Sequence, residues 1–458
     1  MHKTLLTLSL LFSFFSIIKA ESGWFHVGPE YPWVWSNSAN AWNYVFVPAE
    51  GLEIQLNGEG DSLTFPFLET DWVYVNSEFP WMWSSADISL MLANQPQGLV
   101  WTYNTANDQV ELWGHSLEGS KIVEKLAELR VEFGLTAVVA GVWSGIDEVV
   151  TAAVGETVTD FPAEKTMLYR VGGVCINMLI TVMLQGVDNG DFALDDTIDQ
   201  WLPDLVNADK VTLRMLANCT AGYDDYVFTK AFDDAFFANV FRGFTADELI
   251  DFGMAHSPTY EPGTDWHYSH TTFVVIGKIL SMVYNKPVSQ LLEEQVFEPL
   301  GLTNTYYVTG PEFPGQPLHG FTTEREIFED STFWNPSWTS YTGSVVSSAI
   351  DVSRFARAWG TGELISQSSF EQMIAPTTVG IGPNTASRYY ALGMGVVGDG
   401  EWLLQNPNFG GYQGAMAYNL EDGTTIVVSC TLGQNSDFTV HHGMEIYNAL
   451  VELLGSDG

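Results

Sequence analysis

The sequence predicts an α+β protein, and three features of the 458-residue chain support this class. Alternating aromatic and β-branched residues near the N-terminus are typical of strands. Residues 120–133 have helical periodicity, and the apolar stretch 135–143 with residues 148–154 indicates an antiparallel hairpin. Gly172-Gly173 then opens the apolar helical run Met178–Leu184. This length predicts two domains, since single cores stop growing at about 250–300 residues.

The chain is strongly acidic, with 56 Asp and Glu residues against 17 Lys and Arg and a formal charge of −39. Such a surface repels nucleic acid and anionic lipid, so we expect neither as a partner. We interpret the acidity as an aid to solubility in a salty medium, where screening removes most of the self-repulsion. The content of 46% hydrophobic residues excludes a disordered chain.

Residues 1–20 have the pattern of a secretory signal peptide. Lys3 precedes the apolar run Leu5–Ile18, and the small residue Ala20 precedes Glu21. No later segment reaches the ~20 apolar residues of a membrane-spanning helix. We therefore expect an exported protein, whether periplasmic, cell-surface or secreted, with no membrane span.

The region 21–115 contains an internal repeat, because residues 24–36 recur as residues 72–84 with the same Trp, Glu, Pro and Ser positions. This duplication predicts a small aromatic-rich β domain. Nine of the 16 Trp residues lie between Trp24 and Trp113. Exposed Trp side chains could stack on sugar rings and bind a glycan, whereas buried ones would only fill the core of a small β unit. We favour the packing interpretation.

Seven stretches beyond residue 115 follow one another in an order that resembles the serine β-lactamase and penicillin-binding-protein family, including its D,D-carboxypeptidase and esterase branch. The stretches are Tyr169–Asn177 (YRVGGVCIN), Leu194–Pro203, Val211–Gly222, Glu261–His270 (EPGTDWHYSH), Val296–Thr305, Thr342–Phe355 and Asn408–Gly414 (NFGGYQG). The resemblance implies that residues 116–458 form an antiparallel sheet flanked by helices, beside a mostly helical lobe.

The resemblance also places the family's functional positions on this chain. Gly173 stands where the family has its nucleophilic Ser, and Ile176 stands where it has the Lys base. Tyr268 keeps the catalytic tyrosine, and His270 replaces the asparagine of the same motif. The third motif falls at Asn408 and Gly410, with Asn408 in the cationic or imidazole position. We expect these six residues to mark a cleft.

Two functional hypotheses remain open. Because Gly173 has no side chain and Ile176 cannot titrate, the acyl-enzyme route is closed at its first step. The first hypothesis is therefore an exported, catalytically degenerate member whose cleft binds a peptide, glycan or small-molecule ligand, or which scaffolds the aromatic domain. The second is a working hydrolase (D,D-peptidase, esterase or β-lactamase-like) with rerouted chemistry, for example His270 activating water beside Tyr268. We favour the first.

We expect the cysteine and histidine residues outside these motif positions to have structural rather than catalytic roles. Cys175 lies two positions past Gly173, about 200° round a helix, and is expected to face away from the cleft as a buried thiol. His267 and His270 have a spacing that could suggest a metal site, but no third imidazole is placed near them, so we expect no metal and no cofactor. His441 and His442 are expected to be solvated. The oligomeric state and the pairing of the three cysteines are left open.

Overall fold

The computed structural model describes residues 117–455, with side chains from residue 119, together with the backbone of nine short strands between residues 23 and 112. These strands are β1 Gly23–Val27, β2 Trp33–Ser36, β3 Ala41–Tyr44, β4 Leu52–Leu56, β5 Asp61–Phe65, β6 Asp71–Val75, β7 Met82–Ser84, β8 Trp101–Asn104 and β9 Gln109–Leu112. The first repeat copy holds β1 and β2, the second holds β6 and β7, and β1 pairs antiparallel with β6. The predicted signal peptide lies outside the described residues.

The chain divides into two compact units, Met1–Glu124 and Lys125–Gly458. The separate aromatic domain at residues 21–115 stays a prediction. The second unit is built on an antiparallel sheet with the order β12-β11-β10-β23-β22-β20-β19-β18, and β21 pairs with β22 beside it. The strands are β10 Ala137–Ser144, β11 Asp147–Val158, β12 Phe161–Pro162, β18 Tyr389–Tyr390, β19 Gly395–Val397, β20 Trp402–Gln405, β21 Asn408–Phe409, β22 Tyr412–Asn419 and β23 Thr424–Thr431.

Five short strands of the second unit lie outside this sheet in the described residues. In a three-stranded sheet, β17 is central between β13 and β14, and β15 pairs with β16. Their bounds are β13 Tyr169–Arg170, β14 Tyr306–Tyr307, β15 Phe321–Thr322, β16 Glu329–Asp330 and β17 Val345–Ser347.

Helices flank the sheet and build the adjoining lobe. They are α1 Leu117–Glu132, α2 Val174–Asn189, α3 Leu213–Ala217, α4 Lys230–Ala238, α5 Ala246–Met254, α6 His270–Tyr284, α7 Val288–Leu292, α8 Glu298–Leu300, α9 Ala349–Thr361, α10 Gln367–Ile374 and α11 His442–Gly455. Helices α9 and α11 pack against β22 and β23. Helix α9 can approach β22 closely because its Gly360 has no side chain. A Cβ atom at this position would lie 2.1 Å from the ring of Tyr418. This arrangement confirms the predicted fold class.

The helix α2 is the centre of the lobe. Twelve of its 16 residues are buried, from Val174 to Gly186, because apolar residues occupy nearly every face. It ends at Gly190, whose φ of 76° is the left-handed conformation that glycine adopts freely. Among the described residues, no helix combines the length and the apolar character needed to cross a membrane.

Candidate functional site

The N-terminus of α2 opens into a cavity of about 610 Å³. The start of α6, the strands β18 to β20 and the first residue of β21 form the other walls. Side chains with polar groups or aromatic rings dominate the lining: Trp266, Tyr268, His270, Asn384, Arg388, Tyr389, Tyr390, Gln405, Asn406, Asn408 and His441. The lining therefore brings together Gly173, Tyr268, His270 and Asn408 of the predicted positions.

The space above Gly173 is filled by Gln405. Gly173 is the N-cap of α2 with φ −58° and ψ −11°, and no side chain caps the helix there. A Cβ atom at this position would lie 3.1 Å from Cδ of Gln405 and 3.3 Å from its amide nitrogen. Any side chain introduced at residue 173 would therefore press on the Gln405 carboxamide.

The Gln405 carboxamide is held by several hydrogen bonds. Its Nε2 donates to the carbonyl oxygen of Gly173 at 2.8 Å, to Oδ1 of Asn177 at 3.1 Å and to the carbonyl oxygen of Gly393 at 3.3 Å. Its Oε1 accepts from the backbone N–H of Asn406 at 3.2 Å. Asn177 is fully buried and donates to the Gly393 oxygen at 3.1 Å. This network ties the sheet to the first turn of α2.

Ile176 does not reach the cavity. Its side chain is fully buried, and a Cβ at Gly393 would lie 3.1 Å from its Cγ2 atom. The loop between β18 and β19 therefore covers the position at which the family has its base. Gly410 does not line the cavity either, because it lies in the turn between β21 and β22, with φ 43° and its carbonyl oxygen bonded by Ser331.

Tyr268 lies on the cavity wall beside two other rings. Its ring centroid is 4.9 Å from that of His270 and 5.9 Å from that of Tyr390, both at nearly perpendicular angles. Burial raises the pKa of Tyr268 well above its usual value, and the neighbouring Cys219 and Asp225 raise it further. Tyr268 therefore stays a neutral hydroxyl, which can donate a hydrogen bond but is a poor base.

His270 is paired with a buried carboxylate, Asp225. The His270 Nδ1 atom lies 2.9 Å from Oδ2 of Asp225 and 3.2 Å from its Oδ1. The Asp225 side chain is 1% exposed, whereas that of His270 is 25% exposed and lines the cavity. Asp225 also accepts from the backbone N–H of Val227 at 3.1 Å, which fixes its orientation.

Hydrogen bonds between two chain segments create this pairing. The hydroxyls of Ser269 and Thr271 both donate to the carbonyl oxygen of Asp224, at 3.1 and 2.6 Å. The backbone N–H of Tyr226 donates to the Thr271 hydroxyl at 3.2 Å. The segment that carries Asp225 is thus bound to the first turn of α6, where His270 is the first residue.

His441 lines the cavity but has both ring nitrogens occupied. Its Nε2 lies 3.2 Å from the carbonyl oxygen of Asn406, and its Nδ1 accepts from the backbone N–H of Met444 at 3.3 Å. Burial lowers the pKa of His441, which keeps the ring neutral. The expectation that His442 is solvated is wrong: it is buried beside Phe133, with ring centroids 5.0 Å apart.

The cavity differs in charge from the rest of the protein. Its lining contains no Asp or Glu, although the chain has 56 of them. Arg388 is exposed on the cavity wall and makes no ion pair with the residues described from 119 to 455. The indole nitrogen of Trp266 and the hydroxyl of Tyr390 are buried there without a hydrogen-bond partner in the same range. The cavity therefore offers a cation on a wall without carboxylates, whereas these two buried polar atoms are out of reach of a ligand.

The cysteines and the possible metal ligands add no reactive group to the cavity. Within the described part of the chain, no group of three or more His, Cys, Asp and Glu residues could hold a metal ion. The three cysteines are free and buried. Cys175 donates to the carbonyl oxygen of Tyr341 at 3.2 Å, and burial raises its pKa to about 12. Its thiol is thus protonated and turned away from the cavity.

Three residues of the site were not predicted from the sequence: Asp225, Gln405 and Arg388. Asp225 lies in the run Tyr223–Tyr226 (YDDY), which indicates only a polar loop. It is 45 positions from His270, and Gln405 is 232 positions from Gly173, so only the tertiary fold joins these pairs. The aromatic-polar segment Arg388–Tyr390 could have been noted as a candidate wall of the cleft.

Comparisons with known proteins agree with the fold of residues 125–455. A family model described as Beta-lactamase matches residues 122–448, which is more than half of the chain. A protein of Bacillus subtilis (strain 168) named as a penicillin-binding protein, PbpX, is 25% identical over 226 residues, covering 49% of this chain and 55% of that protein. The chain thus spans about half the length of this curated relative.

Solved structures match over a larger share. A D-stereospecific amidohydrolase from Streptomyces sp. has a TM-score of 0.63 and 25% identity, covering 71% of this chain and 97% of that one. A D-amino acid amidase from Ochrobactrum anthropi SV3 in complex with L-phenylalanine has a TM-score of 0.64 and 23% identity, covering 74% and 99%. The second likeness supports the fold alone.

Proposed function

The chain belongs to the β-lactamase family, and we propose that its cleft binds a small ligand without forming an acyl-enzyme. The observation that carries this proposal is the Gln405 carboxamide, which fills the space next to Gly173. Acylation requires a nucleophile at the start of α2 and a base one turn later. Gly173 supplies no nucleophile, and Ile176 is an apolar, buried side chain.

The lining supports a ligand of defined chemistry. Without any Asp or Glu on its walls, the cavity has no carboxylate that repels an anion at contact distance, although the protein as a whole carries a charge of −39. Arg388 provides an attractive charge, and the rings of Trp266 and Tyr390, with centroids 5.5 Å apart, provide an aromatic wall. A small acyl compound or short peptide end with an aromatic group and an anionic group has this complementarity.

Binding of matched probes tests the proposal. We expect N-acetylphenylalanine, which is an anion, to bind more tightly than its neutral amide, and phenethylammonium to bind least, as measured by calorimetry. Arg388→Gln should remove the preference for the anion, about fivefold, since an exposed charge contact contributes ~1 kcal/mol. Arg214→Gln is the control, because Arg214 pairs with Asp195 outside the cavity. Equal or stronger binding of the cation, or no saturable binding at all, contradicts the proposal.

We also propose that the protein is exported, with cleavage after Ala20. The proposal rests on Lys3 and the apolar run Leu5–Ile18, which have the signal-peptide pattern. In a host with a functioning secretion pathway, intact-mass measurement of secreted material is expected to give a chain that begins at Glu21. Secreted protein that retains residues 1–20 would contradict it.

A further inference from the structure

We infer that Asp225 and His270 form an acid–base pair by which the cleft hydrolyses small esters through direct attack of water. The inference rests on the proposed function, because it requires a ligand cleft in which no acyl-enzyme forms. It starts from the 2.9 Å contact between Nδ1 of His270 and Oδ2 of Asp225. A carboxylate in this position holds the imidazole with its proton on Nδ1. The lone pair then lies on Nε2, where it can accept a proton.

The two ends of the pair lie in different environments. Asp225 is 1% exposed and keeps its orientation through the Val227 N–H, so it is a positioning residue. His270 is one-quarter exposed at the cavity wall, and no described residue from 119 to 455 bonds its Nε2. Nδ1 faces the buried carboxylate, so the exposed quarter of the side chain belongs to the rest of the ring, which includes Nε2. His441 lacks this freedom because both of its nitrogens are bonded.

Other features of the cavity suit the reaction. The 16-residue helix α2 begins next to its N-cap Gly173 on the cavity wall and has no acidic residue in its first turn, so the positive end of its dipole contributes a favourable potential for a developing oxyanion. The neutral hydroxyl of Tyr268 belongs to the ring next to His270, with centroids 4.9 Å apart, and can donate a hydrogen bond. The absence of Asp and Glu from the lining favours esters whose acyl part is neutral or anionic.

The reaction balances without a cofactor. Nε2 of His270 accepts a proton from water while the water oxygen bonds to the ester carbonyl carbon. The carbon–oxygen bond to the leaving alcohol then breaks, and the imidazolium returns its proton to the departing alkoxide. The products are a carboxylic acid and an alcohol, and no electron is gained or lost.

Hydrolysis of 4-nitrophenyl acetate by the full-length protein tests the inference. We expect His270→Gln to lower the rate at least a hundredfold, since a positioned base contributes roughly 10²–10⁴. The control His267→Gln removes an exposed imidazole three residues away and should leave the rate unchanged. We also expect no acetylated protein by mass spectrometry and slower turnover in D₂O, because water attacks directly as it loses a proton.

The position of the imidazole proton provides a second readout that does not depend on activity. In ¹⁵N NMR of the wild type, His270 is expected to carry its proton on Nδ1, and Asp225→Asn should shift this signal and lower the rate. A proton on Nε2 would overturn the inference even if a variant fails to fold. Equal rates for wild type and His270→Gln, with no acetylated protein, overturn this inference but leave the proposed function standing. A stable acetyl adduct overturns the proposed function as well.

Discussion

We expect that a fluorescent penicillin forms no covalent label on the wild-type protein, that is, no label that remains after the protein is denatured. In the family, covalent capture needs an activated side-chain nucleophile at the start of α2, and Gly173 has no side chain. Loss of the nucleophile in a serine protease lowers kcat by roughly 10⁶, so the expected difference from a working relative is very large. The measurement is in-gel fluorescence after denaturing electrophoresis, followed by peptide mapping of any labelled band.

Variants at residues 173 and 176 test whether the missing nucleophile and base are the reason for the absence of labelling. Gly173→Ser alone should remain unlabelled, because its Cβ would lie 3.1 Å from Cδ of Gln405 and the position of the family's Lys base is the apolar, buried Ile176. Gly173→Ser with Ile176→Lys should label only slowly. The new ammonium would replace a fully buried side chain beneath Gly393, and burial disfavours its charged form. Wild-type labelling that maps to a residue between 116 and 458 would contradict the expectation and identify a substitute nucleophile.

The sequence could predict elements whose burial repeats along the chain. The helical pattern at 120–133 and the strand pattern at 135–143 appear as α1 and β10, with ends displaced by one to three residues. The pair Asp422-Gly423, which is a turn signal in the sequence, lies between the antiparallel strands β22 and β23. Burial on one face of a helix or both faces of a strand constrains many residues at once, so periodicity identifies such elements without knowledge of their neighbours.

The site was predictable only in part, because only some of its residues belong to local sequence patterns. The motif positions Gly173, Tyr268, His270 and Asn408 lie in recognisable local patterns, and the structure brings them to one cavity. The groups that decide its chemistry act through single long-range contacts. No local pattern indicates that Asp225 pairs with His270, or that the carboxamide of Gln405 lies against Gly173. Such contacts follow from the packing of the finished fold.

Gln405→Glu is expected to destabilise the folded protein by about 3–5 kcal/mol at neutral pH, as an uncompensated buried charge does. The substitution keeps the shape of the side chain but replaces Nε2, which donates to three acceptors within 3.3 Å. A carboxylate oxygen would then face the carbonyl oxygens of Gly173 and Gly393 and the Oδ1 of Asn177. The residue is 6% exposed, so water replaces little of the lost donor.

The pH dependence of this loss identifies its cause. Burial and the facing oxygens raise the pKa of the introduced carboxyl in the folded state above its unfolded value. Protonation therefore favours folding: the deficit relative to wild type should be small below the unfolded pKa, grow as the pH rises towards the folded pKa, and then level off. Urea unfolding of both proteins across this range measures it. The matched control Gln372→Glu places the same carboxyl on the surface near Nη1 of Arg214, 2.9 Å from the present amide oxygen, and should cost little at any pH. A deficit that does not change with pH would show that packing at Gln405, rather than its hydrogen-bond donor, holds the start of α2 in place.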